Sequence, residues 1–214
     1  MGGRTGSARG RFIVLDGIDG CGKSTQAARL VRSLARPGAP APLHLREPGG
    51  TALGERIRAL VLAREHALSP AVETLLFAAA RRQMLDERIA PALAEGRDVV
   101  CERSNASTFA YQAVAGGLPE EEVLALLRGW ADEPSPDQLL WLDLPVALAW
   151  KRLGPPRDRI EERGVAFQER VALGFRRWSE LAPGTVRVDA SGDEDAVAQR
   201  ILQAVRRLGE VARG

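Results

Sequence analysis

The sequence predicts an α/β fold in which helices cover both faces of a central parallel sheet. Three observations predict it. Apolar runs of strand length alternate with segments of helical period along the 214-residue chain. The first run leads straight into a glycine-rich loop that opens a helix. The charged and polar residues of greatest chemical interest follow the strands, where open parallel sheets bind ligands.

Residues 11–16 (RFIVLD) are nearly all apolar, as a strand buried on both faces must be. Residues 24–36 repeat Ala27, Leu30, Val31 and Leu34 at helical spacing. A Pro/Ala/Gly loop leads to a short strand at 43–45, followed by Arg46-Glu47-Pro48-Gly49-Gly50. Helical patterns cover 54–63, 70–94 and 106–115, with a strand at 98–101 between the last two. Residues 119–131 read as a helix, 138–144 as a central strand and 146–153 as a helix ended by Gly154-Pro155-Pro156. A helix at 167–181, a strand at 186–188 and an amphipathic helix from 194 to 213 complete the chain. Residues 1–10 read as a flexible tail. Residues 11–214 read as one domain with a short lid at about 152–165.

Composition sets limits. The chain is 45% hydrophobic and 27% charged, with a formal net charge of +2. That charge gives no electrostatic case for nucleic acid or a membrane surface. No segment reaches transmembrane length, and the start has no apolar signal core, so a cytoplasmic protein is expected. Cys21 and Cys101 lack metal spacing and are not expected to pair. Cys21 is read as a small residue fitting a tight loop, with an acidified thiol as the less favoured alternative.

The loop Gly17-Ile18-Asp19-Gly20-Cys21-Gly22-Lys23-Ser24 fits G-x-x-x-x-G-K-[ST]. Its glycines allow the backbone N–H groups to curl around an anion at a helix N-terminus. In that pattern Lys23 reaches the β- and γ-phosphates and Ser24 ligates Mg²⁺. The loop therefore predicts a nucleoside triphosphate with Mg²⁺ and the P-loop NTPase fold, but not the acceptor. Glu102-Arg103, at the end of a strand, can serve a metal-bound water and a phosphoryl group, or form a simple surface ion pair.

Larger segments carry a resemblance. Phe12 to Gln26, Arg46-Glu47-Pro48-Gly49-Gly50-Thr51 with Glu55 and Arg58, and Leu75 to Arg81 resemble bacterial thymidylate kinases in order and spacing. So do Ser107-Thr108 with Ala110-Tyr111-Gln112, Leu142 to Pro145, Asp158-Arg159-Ile160-Glu161 in the lid, and Val188 to Ser191. The resemblance implies phosphoryl transfer from ATP to dTMP with Mg²⁺, in a homodimer. It implies ATP contacts from Gly17, Gly20, Gly22, Lys23, Ser24, Thr25, Arg152 and the turn at Asp189. It implies a dTMP site of Asp19, Glu47, Pro48, Arg58, Phe77, Arg81, Arg103, Ser107, Thr108 and Tyr111, with Phe77 stacked on the base. Phe77 would read as core without it.

Asp19, Lys23, Arg103 and the lid arginines Arg157 and Arg159 are the implied catalytic groups, and Ser24 and Glu102 the implied metal ligands. Position 20 carries Gly where some relatives carry Arg, which shifts charge neutralisation to a lid Arg from among 152, 157 and 159. Two departures stand out. Glu102-Arg103-Ser104 replaces the family's usual Asp-Arg-aromatic, which is expected to change the metal geometry and one wall of the acceptor site. Glu-Arg-Ser also occurs in deoxynucleoside kinases, where a Glu such as Glu47 acts as general base on a hydroxyl. That enzyme class and a non-catalytic nucleotide-binding relative are the alternatives.

Overall fold

A computed structural model describes residues 9–155 and 158–211, with side chains described to residue 207. Five parallel strands form one sheet in the order β2-β3-β1-β4-β5. They are β1 (Phe12–Asp16), β2 (Leu43–Arg46), β3 (Val99–Glu102), β4 (Gln138–Asp143) and β5 (Thr185–Asp189). Every residue of β1 and β3 is buried, as befits inner strands covered on both faces. Register lines up the carboxyl ends: Leu15 pairs with Glu102, Arg46 with Glu102, and Asp16 with Trp141. The ends of β1, β2 and β3 therefore open onto one shared edge.

The helices are α1 (Lys23–Leu34), α2 (Ala52–Leu62), α3 (Pro70–Met84), α4 (Ala90–Ala94), α5 (Asn105–Thr108), α6 (Glu120–Trp130), α7 (Val146–Arg152), α8 (Gly164–Leu181) and α9 (Glu194–Val211). Local chemistry sets their starts. The Thr51 and Ser69 hydroxyls accept from the backbone N–H groups of Gly54 (2.9 Å) and Val72 (3.3 Å). Pro70 then occupies the first turn, where its missing N–H costs nothing.

Two segments expected as plain helix contain π-turns, Leu85–Ile89 after α3 and Phe109–Val114 after α5. Hydrophobic periodicity does not separate the two ladders, so the extra residue per turn was not legible. The second π-segment carries Tyr111 and Gln112, in line with the habit of π-turns to sit at functional sites.

The main core fills both sides of the sheet, with Ile13, Leu15, Leu140 and Leu142 fully enclosed. A second cluster packs Phe109, Ala113, Val123 and Leu127 beneath the π-segment. A third joins Ile57, Val61 and Ala80, with Phe77 packed against it. The expected N-terminal tail is described only at Arg9 and Gly10, and these are held. Arg9 pairs with Asp137 at 2.8 Å, and the Gly10 N–H donates to the Leu93 carbonyl at 2.9 Å. Among the described residues no helix is long and apolar enough to cross a membrane.

Candidate active site

The carboxyl edge of the sheet opens into a cleft of about 1190 Å³. The glycine-rich loop forms one end of it. Gly17, Gly20 and Gly22 all have positive φ, which glycine alone adopts without strain. Gly20 is the tightest: a Cβ there would lie 2.5 Å from the Ala149 carbonyl oxygen of α7. A side chain at 20 is therefore barred by the backbone of α7. Lys23 lies back along the loop, its Nζ donating to the carbonyls of Gly17 (2.9 Å) and Ile18 (2.8 Å). Ser24 donates to Glu102 Oε2, and His44 Nε2 meets Glu102 Oε1 at 2.9 Å.

Asp19 is the junction of the site. It pairs with Arg103, accepts from Tyr111 Oη at 2.8 Å and Gln168 Nε2 at 3.1 Å, and lies 4.0 Å from Lys23 Nζ. Burial pushes its carboxyl up, but Arg103, Lys23 and these hydrogen bonds outweigh it and hold the pKa at about 2. Asp19 is thus charged at any physiological pH. Arg103 stands over the Tyr111 ring at 5.2 Å and donates to Ser107 Oγ at 3.0 Å. Its backbone is left-handed, φ 71, the one non-glycine residue so placed among those described. Such strain persists only where the surroundings over-determine it, commonly at functional sites.

Glu47, Pro48, Arg58, Phe77, Arg81, Ser107, Thr108 and Tyr111, all expected from the sequence as site residues, line the cleft away from the loop. Phe77 packs on the α2–α3 cluster and also faces the cleft, so both readings of it hold. Arg81 is 4% exposed and forms an ion pair with Glu47, while also donating to Asn105 Oδ1. Burial raises the Glu47 pKa against the pull of Arg81. Arg58 donates to the Pro48 carbonyl at 3.2 Å. Burial lowers its pKa, and the nearby guanidiniums of Arg46 and Arg103 add to that against the pull of Glu55 and Asp158.

Other expected residues lie elsewhere. Arg152 reaches the cleft, and its Nη2 lies 3.5 Å from the Gly192 carbonyl. Arg159 does not line the cleft; it pairs at 2.7 Å with Glu73, which is fully buried in α3. Arg157 lies outside the described residues. The Asp189 carboxylate accepts from the Ser191 N–H at 2.9 Å, while its neighbours Ala190, Gly192 and Asp193 face the cleft. Thr25 also lines it. Ser104 does not: its side chain is buried and donates to Asp16 at 2.9 Å. In this chain position 104 therefore supplies no part of the cleft wall.

Sequence reasoning missed Arg46, Gln168 and His44 as parts of the site. Arg46 stood in a motif already singled out. The other two act through partners 58 or more residues away, which no local pattern signals.

A strand, a glycine-rich loop and a helix, in that order at the edge of a parallel sheet, define a P-loop kinase fold. The family profile described as thymidylate kinase matches residues 15–201. Thymidylate kinases of Alkalilimnicola ehrlichii (44% identical, covering 92% of this chain and 93% of the relative), Synechococcus sp. RCC307 (43%, 95% and 99%) and Bordetella petrii (39%, 96% and 99%) are similar over nearly the whole length. The chain belongs to the thymidylate kinase family.

Proposed function

We propose that this chain transfers the γ-phosphoryl group of ATP to dTMP, giving ADP and dTDP. The observation that carries the reading is the placement of Asp19 between Lys23 of the phosphate loop and Arg103 of the acceptor pocket. Donor and acceptor phosphates, each drawn by one of those cations, converge on the same few ångströms. Arg58 and Arg46 add the surplus charge that a dianionic monophosphate neutralises. Phe77 offers a flat apolar face to the base, and Arg81 a buried donor set held in place by Glu47.

Mg²⁺ fits the chemistry of Ser24 and Glu102, two hard oxygen donors hydrogen-bonded to each other at the loop. Among the described residues no group of three or more His, Cys, Asp or Glu could hold a metal. When bound, Mg²⁺ supplies charge neutralisation on the transferring phosphates.

The chain's own part is positioning and electrostatics. Lys23 leaves its two loop carbonyls for the donor phosphates, and Arg103 orients the acceptor phosphate in line. Arg152, the lid-side arginine that faces the cleft, is the favoured source of the added charge that Gly20 cannot supply. The acceptor oxygen is already anionic at neutral pH, so no base is needed. A deoxynucleoside acceptor would need one, and Glu47 would have to be it. Glu47 is committed to Arg81, which supports the monophosphate reading.

Glu47→Gln separates the two. For a monophosphate acceptor, kcat at saturating dTMP falls less than about tenfold; loss of a general base costs about 10²–10⁴-fold. A loss in the larger range would overturn the reading. A homodimer belongs to the same proposal: Val72 and Leu75 of α3 expose apolar side chains that a second copy would cover, and sedimentation at twice the chain mass is expected.

A further inference from the structure

We infer that Asp16 is a positioning residue that sets the geometry of Arg103 through Ser107. The inference rests on the phosphoryl-transfer reading above and assigns a role to a residue that does not itself line the cleft.

Asp16 ends β1 with its side chain fully enclosed, 0% exposed. It does not line the cleft. Its carboxylate nevertheless accepts four hydrogen bonds. Oδ1 takes the Gly17 N–H at 2.9 Å and the Ser107 hydroxyl at 2.6 Å. Oδ2 takes the Ser104 hydroxyl at 2.9 Å and the Ser107 N–H at 3.1 Å. One buried acid thus holds the phosphate loop on one side and the start of α5 on the other.

Arg103 lies between those anchors. Its N–H donates to the Leu15 carbonyl at 2.9 Å, next to Asp16, and its φ of 71 must be enforced by what flanks it. Ser104 and Ser107 are the flank. Because Ser107 spends its only hydroxyl proton on Asp16, its lone pairs face Arg103 Nη1, which donates at 3.0 Å. The other guanidinium nitrogen, Nη2, is on Asp19. Asp16 therefore fixes both the strained backbone of Arg103 and one prong of its fork. Ser104 is part of this clamp, which gives the small hydroxyl residue at that position a structural reason. An aromatic ring there could not make its bond to Asp16.

Asp16→Asn keeps shape and removes one acceptor. Asn can still accept from Gly17 and Ser107 Oγ, but its amide meets the Ser107 N–H donor to donor. The start of α5 then shifts and Arg103 with it. Steady-state kinetics on Asp16→Asn, Arg103→Lys and the double variant test the role. The expected result is a fall in kcat of about 10- to 100-fold for Asp16→Asn, the range for a displacement of about 1 Å. ATP affinity by calorimetry stays within about threefold, because the Gly17 bond persists.

In the Arg103→Lys background the Asp16 substitution costs less than about threefold more, since its effect runs through the guanidinium. Losses that multiply, or a kcat within twofold of the parent, would overturn the inference. If Asp16→Asn does not fold, Ser107→Ala with Arg103→Lys runs the same cycle on the relay itself, read in the same way. The parent protein is the control that keeps the two readings apart. No dTMP turnover by the parent removes the function, whereas turnover with multiplicative losses removes only the role of Asp16.

Discussion

Arg103→Met lowers kcat by about 10³-fold, at the lower edge of what a phosphate-directed arginine contributes. The fold survives it, because Asp19 keeps Tyr111, Gln168 and Lys23 as partners. The left-handed backbone at 103 allows a sharper version. Arg103→Gly relieves the strain that Arg103→Met retains, so the glycine variant is the more stable of the two by about 1 kcal/mol. Both are equally impaired, because the guanidinium and not the turn is what the reaction uses. Thermal unfolding ranks their stability, and turnover at saturating substrates reads the chemistry. A glycine variant with near-parental kcat would mean that only the turn matters.

Arg81→Met carries the largest expected effect on stability. It strands Glu47, 7% exposed, without its counter-ion, and removes the donor to Asn105. Breaking a buried pair from one side costs about 3–5 kcal/mol. The loss depends on pH, and the sign follows from Glu47. Burial already raises its pKa, and without Arg81 only the weaker pull of Arg103 opposes that. The folded variant then holds a proton that the unfolded chain releases near the ordinary carboxylate value of about 4.3. Where the native state binds the extra proton, stability falls as pH rises. Urea midpoints for Arg81→Met therefore decline from about pH 4 upward, more steeply than for the parent. A variant whose deficit is the same at pH 4 and pH 7 would show that Glu47 finds another partner.

The loop residues and the segment that follows β2 were legible because their chemistry is local. The glycines announce the loop, Lys23 and Ser24 follow at fixed offsets, and Arg46 to Gly50 sits where a parallel strand must end. The strands were legible because inner parallel strands are apolar throughout, as β1 and β3 are. Partnerships across the fold were not. Arg159 stood in a segment that reads as a lid and so reads as a phosphate ligand; nothing nearby signals that Glu73, 86 positions earlier, claims it. Ser104 looked like a lost wall, but its role depends on Asp16, reachable only once β1 and β3 lie side by side. Gly20 was read as an arginine moved elsewhere, and the packing of α7 over it supplies the steric cause. Sequence spacing reports which chemistry is available, and long-range packing decides which residue supplies it.

The central claim is that the cleft serves a thymidine monophosphate acceptor. A coupled assay of ADP release with Mg²⁺ and ATP, run across dTMP, dUMP, dCMP, dGMP and thymidine, tests it most directly. ADP release is expected to depend on dTMP and to exceed that with every other acceptor. Turnover of thymidine without turnover of dTMP, or no acceptor-dependent ADP release at all, would contradict it.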